Sequence, residues 1–111
     1  MDQTVRVSPT SDGLLSIELF GEIDFSNCAA VVAEVSPAVT DARPREVRVD
    51  LSGVTFLDSS GIGVLVTVYR AALAADAGYR VVSPTRFVYE QLRMTGLVDL
   101  FGIEPPAMSV S

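Results

Sequence analysis

The sequence contains no histidine and no lysine, and these two absences exclude several kinds of chemistry. Without histidine, the chain can assemble neither a Ser-His-Asp triad nor a histidine-ligated metal site. Without lysine, it can form neither a P-loop nor the phosphoacceptor site of a phosphorelay receiver. A hydrolase or a receiver is therefore disfavoured, and the sequence predicts a protein that is not an enzyme, with no metal or cofactor.

Cysteine and long apolar runs are also scarce. Cys28 is the only cysteine, so no disulfide can form within the chain and a reducing compartment is expected. The longest apolar run, residues 62–68, is too short to span a bilayer, and no signal-peptide pattern is present. The net charge of −6 disfavours nucleic acid and anionic membranes as partners. We therefore expect a soluble, cytoplasmic protein.

Apolar periodicity predicts a hairpin followed by alternating helices and strands. The hairpin strands are expected at residues 4–8 and 14–20, with the segment 21–24 ending the second strand. A helix is expected from Cys28, with Val31, Val35 and Val39 among its core residues. Further expected elements are a strand from residue 47, a helix over about 60–75, a strand over 79–83 and a helix after Pro84.

Several residues are expected to interrupt or end these elements. Pro37 should kink or end the first helix, and Ser52-Gly53 should form a turn. Gly78 is expected just beyond the end of the second helix. Residues 97–103 are expected to contribute a last short strand, and residues 104–111 are expected to form a flexible tail.

This order of elements predicts one α/β domain over residues 4–103. We expect a mostly parallel mixed sheet of four to five strands, with an antiparallel N-terminal edge strand and three or more helices. Functional residues of such sheets gather at the carboxyl ends of the strands. Residues 21–24 and 56–61 both fall at such ends, so we expect them to share one surface.

The segment Asp58-Ser59-Ser60-Gly61 is the most informative part of the chain. It directly precedes an apolar helical pattern, where Asp and Ser act as N-caps. One cap needs one oxygen, whereas this segment supplies three side chains that carry oxygen. Gly61 and Gly63 are poor helix formers, and small residues let another molecule approach the backbone closely. A phosphate added here would be stabilised by the positive end of the helix dipole.

The helix that follows is apolar on more than one face. Its expected core stripe consists of Ile62, Leu65, Val66, Tyr69 and Leu73. Val64 and Val68 lie on another side. Coverage of this second side by a neighbouring helix is the favoured interpretation; the alternative is an apolar docking patch beside Ser59. The solvent accessibility of the two valines distinguishes them.

Three motifs together resemble the STAS family, and more narrowly its anti-sigma factor antagonists of the SpoIIAA type. They are Gly21-Glu22-Ile23-Asp24, then Asp58-Ser59-Ser60-Gly61-Ile62-Gly63, then Arg86 with Leu92 and Thr95-Gly96-Leu97. The similarity extends from about Val5 to Ile103. The resemblance implies a SpoIIAA-like fold and regulation of transcription by partner switching, as in stress responses and sporulation.

The resemblance also implies a site and partners. Ser59 would be phosphorylated by a partner that is both an anti-sigma factor and an ATP-dependent serine kinase, and a PP2C-type phosphatase would remove the phosphate. Neither nucleic acid nor a membrane is implied as a partner. The implied partner-binding residues are Asp24, Asp58, Ser59, Ser60, Gly61, Gly63 and Val64. An alternative within the same family is an accessory subunit of a transport complex, which needs no phosphorylatable serine.

Overall fold

Residues 4–106 form a four-stranded mixed sheet and three helices. The computed structural model describes residues 4–106, apart from the side chains of Pro9 and Thr10. The elements are β1 (Val5–Ser11), β2 (Leu14–Ile23), α1 (Cys28–Ala42), β3 (Glu46–Leu57), α2 (Ser59–Ala74), β4 (Gly78–Val82) and α3 (Arg86–Met94). The strand order is β1-β2-β3-β4, with β1 antiparallel to β2 and the other pairs parallel. The predicted fold class is confirmed.

One face of the sheet is buried, because apolar residues alternate along each strand. Leu15, Ile17 and Leu19 of β2 point into the core. Helices α1 and α2 contact each other and cover this face, and the predicted α1 residues Val31 and Val35 are fully buried beneath α1. The opposite face carries charged side chains, including an ion pair of 3.3 Å between Arg6 and Glu18.

Both central strands are longer than predicted, because bulges absorb the residues expected to break them. Gly21 does not end β2: it adopts a φ of +74°, which glycine tolerates, and the register shifts between Gly21 and Glu22. Ser52-Gly53 is not a turn, and β3 continues through it with a register shift against β2. A Cβ on Gly53 would lie 2.6 Å from the Phe20 ring, which explains the glycine.

Pro37 does not end α1, which was one of the two predicted effects of this residue. The helix continues for five residues beyond it, to Ala42. Proline removes one backbone hydrogen bond, at a cost of about 3 kcal/mol in a helix interior. Val35 and Val39 on either side are both fully buried, and burying one valine contributes about 1.5–3 kcal/mol. Continued packing on the sheet therefore offsets the lost hydrogen bond, and the connector predicted over 40–46 is correspondingly shorter.

Two of the predicted C-terminal features are also wrong. Asp76, and not Gly78, adopts the left-handed conformation after α2, with a φ of +57°. The N–H of Ala77 bonds the carbonyl of Ala72 at 2.8 Å, as in a Schellman motif. Residues 97–103 form turns instead of a strand, although Phe101 is fully buried and accepts one hydrogen bond from Val81. Of the predicted tail, residues 107–111 lie outside the described part.

The buried side of α2 differs from the predicted stripe. Val64 and Val68 are each 2% exposed, whereas Leu73 is 57% exposed. The reason is that α2 packs against both the sheet and α1, so its buried arc faces the space between them. The favoured interpretation, that a neighbouring helix covers Val64 and Val68, is confirmed. Within residues 4–106, no helix is long and apolar enough to cross a membrane.

Candidate functional site

The loops after β2 and β3 meet at the carboxyl ends of these strands. Ile23 pairs with Leu57 at the end of the parallel ladder. Immediately beyond, the N–H of Asp58 donates to the carbonyl of Ile23 at 3.3 Å. The N–H of Phe25 in turn donates to Oδ2 of Asp58 at 3.1 Å. The prediction that the two segments share one surface is confirmed, and Asp58 joins them.

Asp58 caps α2 with one carboxylate oxygen and holds the neighbouring loop with the other. Its Oδ1 accepts from the N–H of Gly61 at 2.9 Å, the expected geometry of an N-cap. Its Oδ2 accepts the hydrogen bond from Phe25. The free N–H groups of the helix start are thus partly satisfied without any serine hydroxyl. Ser59 and Ser60 are not needed for the cap.

Ser59 is the first residue of α2 and is exposed to solvent, whereas Ser60 is half-buried. Within residues 4–106, the hydroxyl of Ser59 has no hydrogen-bond partner. The hydroxyl stands at the positive end of the helix dipole, next to the capping carboxylate. A visiting active site can reach Ser59 more readily than Ser60.

The fold requires glycine at only one of the two glycine positions in the first turns of α2. Gly61 is buried, and a Cβ placed on it would collide with the backbone carbonyl of Ile23. Gly61 therefore allows α2 to approach the end of β2. A Cβ on Gly63 would meet nothing within 4 Å, so the fold does not require glycine at this position.

The loop between β2 and α1 is cross-linked by its own side chains. Oδ1 of Asp24 accepts from the N–H of Ser26 at 2.9 Å and from its hydroxyl at 2.6 Å. Asn27 accepts from the N–H of Asp24 at 2.9 Å and donates to the carbonyl of Glu22 at 2.8 Å. The hydrogen bond from the Ser26 hydroxyl holds the pKa of Asp24 below its ordinary value. Asp24 is therefore a charged residue in the loop that Asp58 holds through Phe25.

A shallow apolar groove of about 410 Å³ runs between α1 and α2. Ser60 and Gly63 line it from α2, and Cys28 and Val32 line it from α1; the remaining lining residues are Ala29, Ala33, Val64 and Thr67. Because Val64 is only 2% exposed, it forms the floor and offers little area to a visitor. The groove begins one residue from Ser59.

Two residues at the site, Gln91 and Phe25, could not be recognised as site residues from any motif in the sequence. The amide of Gln91 in α3 bonds both backbone groups of Leu57, at 3.2 Å to its N–H and 2.6 Å to its carbonyl. It thereby holds the end of β3 directly before Asp58. Phe25 is 81% exposed on the surface of the loop. Among the described residues, no group of three or more His, Cys, Asp or Glu side chains could hold a metal ion.

The fold and the site together define an α/β domain with an exposed serine at a capped helix start, and comparison with known families agrees. The STAS domain family matches residues 6–110, and the chain belongs to this family. The family predicted from the three motifs is thereby confirmed over nearly the whole chain.

Two similar proteins are anti-sigma factor antagonists. The anti-sigma F factor antagonist of Lysinibacillus sphaericus is 27% identical over 81 residues, covering 73% of this chain and 69% of the relative. The crystal structure of an anti-sigma factor antagonist from Mycobacterium paratuberculosis is 28% identical, with a TM-score of 0.78, covering 91% of this chain and 86% of that one.

SpoIIAA shares the fold in two states. Its unphosphorylated form has a TM-score of 0.66 at 19% identity, covering 96% of this chain and 89% of SpoIIAA. The phosphorylated form of the Bacillus protein has a TM-score of 0.70 at 20% identity, covering 95% and 92%. At these identities the likeness establishes the fold alone.

Proposed function

We propose that this protein is an anti-sigma factor antagonist that is switched off by phosphorylation of Ser59. In its unmodified form it binds an anti-sigma factor with serine kinase activity, and the sigma factor is thereby released. A PP2C-type phosphatase restores the unmodified form. The protein acts as a cytoplasmic binding module in transcription regulation and is not itself an enzyme.

The observation that carries this proposal is the exposed, spare hydroxyl of Ser59. Asp58 already caps α2, so the hydroxyl is available to accept a phosphoryl group without weakening the helix. The helix dipole favours a phosphate at this position. The curated relative and the mycobacterial structure described above are both antagonists of anti-sigma factors, which supports the same role.

The charges around Ser59 explain how a phosphate would prevent binding. A phosphate adds about −1.5 to −2 charges at neutral pH, next to Asp58 and near Asp24. A partner that packs here must desolvate or oppose these charges, at a cost of several kcal/mol. Binding is therefore lost while the domain stays folded.

The partner-binding surface that we propose has three parts: the loop between β2 and α1, the start of α2, and the groove between α1 and α2. Asp24, Ser59, Ser60 and Gly63 contribute directly. Val64 forms the groove floor, and Asp58 and Gly61 act by holding α2 and the loop together. The protein needs neither nucleic acid nor a membrane for this role.

The test begins with affinity capture from the native cell, using the wild type and Ser59→Asp. We expect an ATP-binding serine kinase to be retained by the wild type alone. The purified kinase with ATP should then phosphorylate the wild type and Ser60→Ala on Ser59, while Ser59→Ala should bind without being phosphorylated. Mass spectrometry of the modified peptide identifies the residue.

Three results would contradict the proposal. Phosphorylation of Ser59→Ala at the wild-type rate would assign the modification to another residue. Equal binding of the kinase by the wild type and Ser59→Asp would remove the switch. Association with a membrane transport complex, in the absence of any phosphate on Ser59, would favour the accessory-subunit alternative.

A further inference from the structure

We propose that Phe25 is the main apolar anchor by which this protein recognises its anti-sigma factor. The aromatic ring would enter an apolar pocket that is bordered by arginine or lysine side chains of that partner. This inference rests on the proposed function and adds a specificity-determining residue outside the three motifs that resemble the family.

Phe25 is exposed to an unusual degree for an aromatic residue. Its exposed fraction is 81%, larger than that of Phe87 at 57% or Phe56 at 38%. Phe56 and Phe87 stack on each other, with ring centroids 6.1 Å apart, whereas no ring contact involves Phe25 within residues 4–106. Single exposed apolar residues are common on protein surfaces, so exposure alone does not define an anchor.

The loop that carries Phe25 is held in place by hydrogen bonds. The N–H of Phe25 donates to Oδ2 of Asp58 at 3.1 Å. The carbonyl of Phe25 accepts a hydrogen bond from the Cys28 thiol at 3.6 Å. Asp24 on one side and Ser26 on the other are joined by two hydrogen bonds. The ring is therefore presented from a fixed backbone. Rigid presentation lowers the entropy lost on binding, and aromatic residues dominate interface hot spots.

The charges near the ring indicate the chemistry of the partner. Glu22, Asp24 and Asp58 lie in the two segments that meet here, residues 21–27 and 52–60, and neither segment contains a basic residue. Asp24 is ionised at neutral pH, and the hydrogen bond from the Ser26 hydroxyl lowers the pKa of its carboxyl further. Basic side chains around the receiving pocket would complement these carboxylates.

The position of the anchor also fits the switch. The backbone N–H of Phe25 donates to Asp58, the residue directly before Ser59, so the loop that carries the anchor is joined to the helix start that carries the hydroxyl. A phosphate on Ser59 would add about −1.5 to −2 charges to the helix start that the partner must approach to enclose the ring. The same contact that gives affinity thus makes binding sensitive to phosphorylation.

The test compares Phe25→Ala with Met94→Ala in binding to the purified serine kinase identified by the capture experiment. Met94 is a matched control, because it is 79% exposed and lies at the end of α3. Isothermal titration calorimetry without ATP gives the affinities, and thermal melting checks the fold. We expect Phe25→Ala to weaken binding by about 30-fold and Met94→Ala by less than about twofold.

A second variant protects the test against a folding artefact. Phe25→Glu keeps an exposed side chain of similar reach and should weaken binding at least as much as Phe25→Ala. Each Phe25 variant should also raise the KM for phosphorylation of Ser59 and leave kcat unchanged, because the anchor acts in binding.

The outcomes separate this inference from the proposed function. Suppose that the kinase binds and phosphorylates the wild type, but its affinity for Phe25→Ala or Phe25→Glu is within tenfold of its affinity for the wild type. The assignment of Phe25 as the anchor is then wrong, and the proposed function stands. If Met94→Ala weakens binding as much as Phe25→Ala, the effect is a general loss of apolar surface, which also overturns the anchor. If the wild type is neither bound nor phosphorylated, the proposed function itself fails.

Discussion

The starts of α2 and α3 are built alike and differ in what they can do. Each helix follows a strand and is capped by a side-chain oxygen that accepts from the third helical residue. Asp58 accepts from the N–H of Gly61 at 2.9 Å, and Thr85 accepts from the N–H of Val88 at 3.2 Å. The first two helical residues are Ser59 and Ser60 in α2, but arginine and phenylalanine in α3.

The two helix starts differ in whether a hydroxyl group remains that the cap does not use. Thr85 uses its single hydroxyl for the cap, and no further hydroxyl follows at the start of α3. Asp58 uses both carboxylate oxygens, one for the helix and one for the loop that carries Phe25, so the hydroxyl of Ser59 is spare. A helix start becomes a plausible modification site when its cap is complete without the exposed hydroxyl.

The largest expected effect concerns the third residue of the two helices. Val88 is buried in α3, whereas the equivalent Gly61 lies so close to β2 that a Cβ would collide with the carbonyl of Ile23. We expect Gly61→Ala to lower the free energy of unfolding by about 3 kcal/mol, because backbone must move to relieve the overlap. Urea unfolding followed by circular dichroism measures the change.

Gly63→Ala is the matched control for Gly61→Ala. A Cβ on Gly63 meets nothing within 4 Å, and alanine favours helix over glycine by about 1 kcal/mol. We therefore expect this variant to be as stable as the wild type or up to about 1 kcal/mol more stable. Equal destabilisation by both variants would contradict the close approach assigned to Gly61.

A smaller effect separates the two capping residues. Thr85→Ala removes one cap hydrogen bond and should cost about 1 kcal/mol. Asp58→Ala also removes the hydrogen bond from Phe25, so we expect a cost of about 2 kcal/mol. Amide hydrogen exchange should show faster exchange at Phe25 in Asp58→Ala alone. Unchanged exchange at Phe25 would mean that Asp58 does not hold the loop.

The smallest expected effect is a change in the titration of Asp24. The Ser26 hydroxyl is the main cause of the lowered pKa of this carboxyl, so Ser26→Ala should move the pKa up towards 3.8, its ordinary value. Because the folded-state pKa is below the unfolded one, the resulting stability is present above the unfolded pKa. It is lost as the pH falls through the folded-state value. NMR titration of the side-chain carboxyl measures the shift, and an unchanged pKa in Ser26→Ala would contradict its cause.

Residue patterns predicted much of this architecture, while interruptions within elements were predicted poorly. The hairpin, the parallel order and the start of α2 at Asp58 followed from alternation and capping. Pro37, Gly21 and Ser52-Gly53 were expected to break elements that in fact continue. Local preference is worth about 1–3 kcal/mol, and packing of neighbouring residues on the sheet exceeds it.

Some residues of the candidate site were likewise predictable from the sequence, and others were not. Asp58 and Ser59 were identified from their position before an apolar helix and from the family resemblance. The contacts that Phe25 and Gln91 make at the site could not be predicted, because each joins residues 33 or 34 positions apart. No periodicity or spacing encodes such a pairing.

The amino-acid sequence alone determined three features: the order of strands and helices, the capped start of α2 and the acidic character of its surroundings. Each of these features depends on residues that are neighbours along the chain. Only the tertiary structure decided that Val64 and Val68 are covered, that Ser59 is exposed and that the loop of Phe25 is bonded to Asp58. The physical reason is that burial depends on which elements pack together, and packing brings distant residues to within a hydrogen bond of one another.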